Sequence, residues 1–227
     1  MNPGFSSKKI LLSWSGGKDS AMALHALRQR PDITVEALLT TITADYERIS
    51  MHGVRRALLD EQAKALGLPL KEVRITPGAD NAQYEARMGA VLADAMTQGI
   101  TACAFGDLFL EEIRAYRDRQ LARIGMEALY PVWGRNTREL ICEFLDLGFQ
   151  TIIVCVDPRK LSPDFVGRII DRALLAELPD HVDPCGENGE FHTFAFAGPI
   201  FRKPVAFTTG ATVERDGFWF CDLIPQS

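Results

Sequence analysis

The chain has 227 residues, of which 47% are hydrophobic and 24% are charged, and its formal net charge is −5. This composition is typical of a globular protein and excludes a chain too polar to bury a core. The negative net charge argues against an extended nucleic-acid-binding surface, because clustered Lys and Arg bind phosphate backbones.

The cysteines and the apolar runs indicate a compartment. The five cysteines lie far apart and form no CxxC pair, so neither a disulfide framework nor a zinc site is predicted. No apolar run approaches the roughly 20 residues that cross a bilayer. The first residues run into a glycine turn instead of a signal-peptide cleavage site. We therefore expect a cytoplasmic protein without a membrane partner, and the sequence leaves a homo-oligomer open.

Strands and helices alternate along the first two thirds of the chain. Strands are predicted at residues 10–12, 34–42, 70–75, 100–105 and 151–156, and helices at residues 20–27, 53–66, 81–98, 111–124 and 138–147. This alternation predicts an α/β fold with a Rossmann-like parallel sheet, whose ligand lies beyond the carboxyl ends of the strands. After the last strand, residues 168–178 predict a helix, and residues 181–224 predict short strands and turns.

A glycine turn, Ser15 to Ser20, follows the first strand and opens the first helix. Unpaired N–H groups and the helix dipole at such a turn suit a pyrophosphate. The hydroxyls of Ser13, Ser15 and Ser20 can donate to phosphate, Lys18 can offset its charge, and Asp19 can cap the helix or place Mg²⁺. The turn fits neither GxxxxGK[ST] nor GxGxxG. The alternative is a tight turn with a serine helix cap.

The segment Ser15-Gly16-Gly17-Lys18-Asp19-Ser20 resembles the SGGxDS signature of the N-type ATP pyrophosphatases, or PP-loop enzymes. The resemblance implies an adenine nucleotide alpha hydrolase-like fold that cleaves ATP between the α and β phosphates. Such enzymes adenylate a substrate oxygen and release pyrophosphate, and a nucleophile then displaces AMP.

Four further segments resemble the diphthine–ammonia ligase family, in order and with similar spacing. They are Gly106-Asp107, Tyr116-Arg117, YPVWG at 130–134 and CGENGEFHT at 185–193. The family loop often reads GEGGEYET, so Asn188 and His192 replace a glycine and an acidic residue. The resemblance implies an ATP-dependent ligase that adenylates a carboxylate and amidates it with ammonia, and we expect the compact prokaryotic form. The carboxylate is diphthine, a modified histidine on elongation factor 2, if the source is archaeal, and another carboxylate if it is bacterial.

The loop and the resemblance together imply a set of site residues. The candidate catalytic residues are Lys18, Asp19, Arg117, Glu187 and Glu190. The candidate ATP-binding residues are Ser13, Ser15, Gly16, Gly17, Lys18, Asp19, Ser20, Thr41, His52, Gly106 and Asp107. The candidate substrate-binding residues are Tyr116, Arg117, Gly186, Glu187, Asn188, Gly189, Glu190 and His192, and Asp19 is the candidate Mg²⁺ ligand.

Several of these roles have alternatives. Glu187 and Glu190 fit a Mg²⁺ site, an amino-group site, a base toward ammonia or a solvated acidic turn. Arg117 fits the wet face of a helix as well as a phosphate contact. His52 and His192 fit surface hydrogen-bonding groups. We divide the chain into a PP-loop domain, 1–105, and a closely packed substrate-recognition and catalytic-loop domain, 106–227.

Two other functions compete with the ligase. A PP-loop tRNA-modifying enzyme for thiolation or lysidine synthesis would need a basic RNA surface, and a thiolase would also need paired cysteines. The other is a module that senses ATP or AMP without chemistry. Intact Lys18, Asp19, Glu187 and Glu190 argue against the sensing module.

Overall fold

A mostly parallel sheet forms the first layer of the fold. The computed structural model describes residues 7–43, 47–49, 52–76, 78 and 80–226. The sheet contains β1 (Lys8–Ser13), β2 (Ile33–Thr43), β3 (Arg48–Ile49), β4 (Leu70–Ile75), β5 (Ala102–Ala104) and β6 (Glu127–Leu129). Its order is β3-β2-β1-β5-β6, with β4 also paired to β2, and only the β2–β3 pair among these described strands is antiparallel. The predicted α/β fold with a Rossmann-like sheet is confirmed.

Helices cover both faces of this sheet. Residues of α1 (Lys18–Arg28) and α2 (Arg56–Leu66) enter one hydrophobic core, and residues of α3 (Asn81–Thr97) and α4 (Glu111–Ala122) enter the other. The described chain also contains α5 (Thr137–Asp146), α6 (Arg172–Glu177) and a 3₁₀ turn at Pro163–Phe165. Along β1, Ile10 and Leu12 enter one hydrophobic core and Leu11 enters the other. Because side chains alternate along a strand, this apolar run buries both faces of β1.

The tail forms an antiparallel sheet. It contains β7 (Gln150–Val156), β8 (Phe191–Ala197), β9 (Phe207–Arg215) and β10 (Phe218–Pro225), in the order β8-β7-β10-β9. The larger core holds Ile10 and Leu38 of the first sheet together with Ile153 and Phe194 of the second, so the two sheets share one apolar interior. The division at residue 105 stays a prediction, and β6 of the first sheet lies after it.

The helix predicted at residues 168–178 is too long. Only Arg172–Glu177 is helical, and the Asp171 side chain caps its first turn by accepting from Leu174 N at 2.7 Å. The preceding residues pair with β7 instead, since Ile153 N donates to the Arg168 carbonyl at 2.9 Å and Ile170 N to the Thr151 carbonyl at 3.0 Å. Pairing with the sheet overrides the local helical pattern.

None of the helices in the described ranges is long and apolar enough to cross a membrane.

Gly106 tests the packing that brings β5 against the glycine turn of residues 15–20, which we call the phosphate turn after its predicted ligand. A methyl group on Gly106 would lie 2.8 Å from the Asp19 carbonyl carbon and 3.0 Å from Ser20 N, which are backbone atoms of the first turn of α1. We expect Gly106→Ala to lower the free energy of unfolding by about 1–3 kcal/mol in urea titrations, because helix backbone cannot move aside cheaply.

Gly89 supplies the matched control. It lies within α3, and an added methyl group would meet none of the described atoms within 4 Å. Gly89→Ala should stabilise the protein by about 0.5–1 kcal/mol through helix propensity. Equal urea midpoints for the two variants would contradict the close approach at Gly106.

Candidate functional site

The turn between β1 and α1 is held by hydroxyl groups. Gly17 is the N-cap of α1 and brings no side-chain cap, and Asp19 lies inside the first turn of the helix, so Asp19 is not the residue that caps it. Gly17 N donates to Ser15 Oγ at 3.3 Å, and Ser20 Oγ donates to the Gly17 carbonyl at 2.9 Å. Lys18 N donates to Thr193 Oγ1 of β8 at 3.1 Å. Hydroxyl oxygens therefore accept from two N–H groups of the turn, those of Gly17 and Lys18, where a phosphate oxygen could take their place.

Lys18 is a buried cation among carboxylates. Its side chain is 5% exposed, and Nζ lies 2.8 Å from both carboxylate oxygens of Asp19 and 4.0 Å from Glu187 Oε1. Burial alone would lower the pKa of Lys18, but the negative charges of Asp19 and Glu187 raise that pKa above its usual value. Lys18 thus keeps a full positive charge beside the phosphate turn.

Glu187 belongs to the other end of the chain but faces the same turn. Its side chain is 12% exposed. Burial raises the pKa of Glu187 above its usual range, the charge of Asp19 raises it further, and Lys18 opposes the shift. A glutamate with a raised pKa can release and accept a proton near neutral pH.

Asp107 and Arg117 form an ion pair next to the turn. Arg117 Nη1 lies 3.2 Å from Asp107 Oδ2, yet this buried oxygen accepts no hydrogen bond from the described residues. Burial raises the pKa of Asp107, while Arg117 lowers it and Asp19 raises it further. The Arg117 guanidinium also lies over the Phe105 ring at 4.1 Å. Arg117 is therefore fixed toward the site and is not a freely solvated helix residue.

The carboxylates do not form a complete metal site by themselves. In the ranges that the structure describes, no group of three or more His, Cys, Asp or Glu residues is placed to hold a metal ion. Mg²⁺ with a nucleotide needs only one or two carboxylates, since phosphates and water complete its coordination. Asp19 and Glu187 meet that requirement, and the Mg²⁺ role of Asp19 stays a prediction.

Glu190 shapes the loop that carries Glu187. Its side chain is 2% exposed and accepts from Asp183 N at 3.0 Å, Asn188 N at 2.9 Å and Asn188 Nδ2 at 3.0 Å. At Gly186, with φ +72°, a methyl group would lie 2.8 Å from the Phe191 carbonyl oxygen. Donors from the loop already bind both oxygens of the Glu190 carboxylate, which fits a role in holding the shape of the loop. Its catalytic role stays a prediction.

His192, near the start of β8, packs its ring against the ring of His52. The two ring centroids are 4.6 Å apart, and His52 Nδ1 lies 3.3 Å from the Thr193 carbonyl. Burial lowers the pKa of His52 to about 3, and His192 contributes to the shift. Burial and Lys18 also lower the pKa of His192. Both rings are neutral at neutral pH.

Several candidate residues line one cavity of about 570 Å³ at the carboxyl ends of β1 and β2. They include Ser13, Thr41, Tyr116 and Arg117, together with Phe105. Tyr116 and Arg117, predicted to bind the acyl substrate, thus share a cavity with two residues predicted to bind ATP. Its volume lies within the range of about 300–1,000 Å³ of ligand pockets.

Comparison with known proteins identifies the family. The model of the diphthamide synthase N-terminal domain matches residues 8–128, and that of the diphthamide synthase C-terminal domain matches residues 136–223. This chain belongs to the diphthamide synthase family. The family resemblance read from the sequence motifs is confirmed.

Individual relatives of this family are diphthine–ammonia ligases. The zebrafish protein is 25% identical over 223 residues, which cover 88% of this chain and 86% of the relative. The cattle protein is 32% identical over 106 residues, 44% of this chain and 40% of the relative. The human protein is 31% identical over 96 residues, 40% of this chain and 36% of the relative. The matched region spans less than half of the cattle and human proteins.

Gln62 is a site residue that the sequence motifs of this diphthamide synthase family member did not reveal. It is fully buried in α2. Its Oε1 accepts from Trp14 Nε1 at 2.8 Å, and its Nε2 donates to the carbonyls of Gly16 at 2.9 Å and Ala195 at 2.6 Å. Ala195 N donates to the same Gly16 carbonyl at 2.8 Å. Gln62 therefore joins the phosphate turn to β8.

A sequence signal for Gln62 does exist. It lies four residues after Leu58 and four before Leu66, on the buried stripe of an amphipathic helix. A polar side chain on such a stripe needs hydrogen-bond partners, because an unsatisfied buried amide costs about 1–3 kcal/mol.

The substitution Gln62→Glu should make ATP binding depend on pH in a distinctive way. An ionised carboxylate at this position would face two carbonyl oxygens, whereas a protonated carboxyl group could still donate to one of them. We expect ATP affinity to fall at least about tenfold at mildly alkaline pH and to recover partly at mildly acidic pH. Calorimetric titration with ATP at both pH values measures this.

Gln29→Glu is the control, because Gln29 is exposed after α1. The ratio of variant to unmodified affinity should stay near one at both pH values for this control. A deficit in Gln62→Glu that does not change with pH would show that lost packing, and not the lost hydrogen-bond donor, is responsible.

Proposed function

We propose that this protein is an ATP-dependent, AMP-forming ligase that adenylates a substrate carboxylate and then transfers the acyl group from AMP to ammonia. The observation that carries the proposal is buried, charged Lys18 on a glycine turn, faced by Asp19 and by Glu187 from the C-terminal loop. The relatives are diphthine–ammonia ligases, and this supports the amide-forming reaction. They also suggest diphthine on elongation factor 2 as the acceptor for an archaeal source, and another carboxylate for a bacterial one.

The residues divide between the two steps. In the first, a carboxylate oxygen attacks the α phosphorus, the bond to the bridging oxygen of the β phosphate breaks, and pyrophosphate leaves. Lys18 and the N–H groups of the turn offset the charge that gathers on the phosphate oxygens. Arg117, held by Asp107, adds a further positive charge on the side of the 570 Å³ cavity. We assign this cavity to ATP and call it the nucleotide cavity. Mg²⁺ held by Asp19 would add charge stabilisation there.

In the second step, ammonia attacks the acyl carbon and AMP leaves with the electron pair of the acyl–oxygen bond. Ammonium must lose a proton to become a nucleophile. Glu187 is suited to accept that proton, because its pKa is raised toward neutral pH, which makes its carboxylate a stronger base than an ordinary glutamate. The neutral rings of His52 and His192 lie close by and add no positive charge that would repel ammonium.

The cysteines do not favour the thiolase alternative. All five are free, and four are buried. Cys185 donates to the Thr137 carbonyl at 3.2 Å, and burial raises its pKa to about 12, so it is a poor nucleophile.

The reaction itself tests the proposal. The protein, ATP, Mg²⁺ and ammonium are incubated with a panel of carboxylates that includes elongation factor 2 carrying diphthine, and AMP and pyrophosphate are measured. We expect equal amounts of both, dependent on the carboxylate. Lys18→Ala should reduce the rate by a factor of about 100–1,000, while Lys203→Ala, at an exposed position, should leave it unchanged. Tight ATP binding with no turnover on any carboxylate would favour the sensing module.

Glu187→Gln tests the proton acceptor. The residue acts as a base only when deprotonated, so activity should rise with pH through its folded pKa, which lies above the usual range of a glutamate. We expect the variant to lose this rising limb and about 100-fold or more in amide formation. Pyrophosphate release should fall less, since ammonia takes no part in that step.

Glu61→Gln is the control for charge, because Glu61 pairs with Lys64 on the surface of α2, away from the turn. It should keep the rising limb. An unchanged pH profile in Glu187→Gln would remove this residue from the second step.

A further inference from the structure

A second cavity, of about 730 Å³, lies between the two sheets. Arg48 and Ile49 of β3 contribute to one wall, and His192 of β8, Val213 of β9 and Phe220 of β10 contribute to the others. It shares no described lining residue with the cavity that contains Ser13 and Thr41. These two cavities are therefore separate.

The second cavity ends beside the phosphate turn. His192 lines it, and the His192 ring stacks on His52 at 4.6 Å. His52 Cε1 in turn lies 3.4 Å from the position that a Gly17 methyl group would take. The two imidazoles therefore lie between this cavity and the turn that carries Lys18.

Some polar side chains of the cavity already have partners within the protein, and others have none among the described residues. Arg48 donates to the Gly53 carbonyl and to Asp222 Oδ1 at 3.0 Å, and Arg55 also pairs with Asp222. By contrast, the His192 ring has no hydrogen bond and Arg215 no ion pair with any residue in the described part of the chain. These two side chains are free to donate to a ligand.

The rest of the wall is apolar. Ile49, Val213, Phe218 and Phe220 line it, and the volume suits a small organic molecule. Among the described lining residues, the one carboxylate without an ion pair, Asp216, lies on the exposed β9–β10 turn. A ligand with an apolar body and an anionic group therefore matches the interior.

We propose that this cavity is the acceptor site, taking an organic carboxylate whose apolar body packs on Phe218 and Phe220 while its carboxylate reaches toward His192. The assignment rests on the proposed function, in which the turn at Lys18 holds the phosphates of ATP. The nucleotide and the acceptor would then approach the turn from different cavities. The carboxylate could belong to a free molecule or to a protein side chain.

Binding of defined acids tests the site without turnover. The probes are 3-phenylpropionate and hexanoate, each compared with its own amide, in ligand-observed NMR titrations of the full chain. We expect each acid to bind at least about tenfold more tightly than its amide, since the His192 ring donates to the anion and the positive charge of Arg215, at the rim of the cavity, attracts the anion from a longer distance. Val213→Trp should fill the cavity and abolish acid binding while ATP affinity stays within about twofold.

Two further variants guard the result. Arg215→Gln changes an exposed side chain and should weaken acid binding severalfold without altering the unfolding midpoint, so the test survives if Val213→Trp misfolds. Met88→Trp, in the nucleotide cavity, should weaken ATP and leave acid binding intact. No acid binding to the unmodified chain, equal binding of the amides, or full binding in Val213→Trp would each overturn the acceptor site.

The assay of AMP formation separates this inference from the proposed function. Acids that bind in the cavity without any AMP formation would sink the ligase and keep the site. AMP formation that Val213→Trp leaves unchanged would do the reverse. A rate that requires the low-molecular-mass fraction of a cell extract identifies a free acid, and one that requires the protein fraction identifies a side chain.

Discussion

The Gly16 carbonyl is the point on which the site depends. It accepts from Gln62 Nε2 and from Ala195 N, at 2.9 and 2.8 Å, so a helix of the first layer and a strand of the second fix one peptide group together. Because these bonds are buried, losing either donor leaves the oxygen with a single partner and removes one of the two links that hold the peptide in place. The next residues of the turn, Gly17 and Lys18, inherit their direction from that peptide.

The charges around Lys18 explain how a buried cation persists before substrate arrives. A desolvated ammonium is stable only when paired. Asp19 provides that pairing through both carboxylate oxygens at 2.8 Å, and Glu187 lies at 4.0 Å. In the proposed reaction, phosphate oxygens would compete with Asp19 for Lys18, and Asp19 would then be available to hold Mg²⁺. The resting ion pair and the loaded site then use the same three side chains.

Local patterns in the sequence predicted much of the fold and the strand, turn and helix at Ser15 to Ser20, whose role in binding phosphate stays a prediction. The phosphate turn is a strand, a glycine pair and a helix in one continuous segment, so neighbouring residues contain all its information. The two- and three-residue strands β3 and β6 were missed because so few residues carry no periodicity. Gln62 was missed because its partners, Trp14, Gly16 and Ala195, come from distant segments. Similarly, the motif containing Glu190 cannot show that its own loop occupies the carboxylate.

The hydrogen bonds from Lys18 N to Thr193 Oγ1 and at the Gly16 carbonyl also connect two parts of the chain that the family describes as separate domains. The match to the N-terminal domain of the family ends at residue 128, and the match to its C-terminal domain begins at residue 136. A chain cut there would leave the amino-terminal part with the residues of the phosphate turn but without the strand that shapes it. A substitution on one side of this boundary therefore acts on a turn whose shape also depends on residues from the other side.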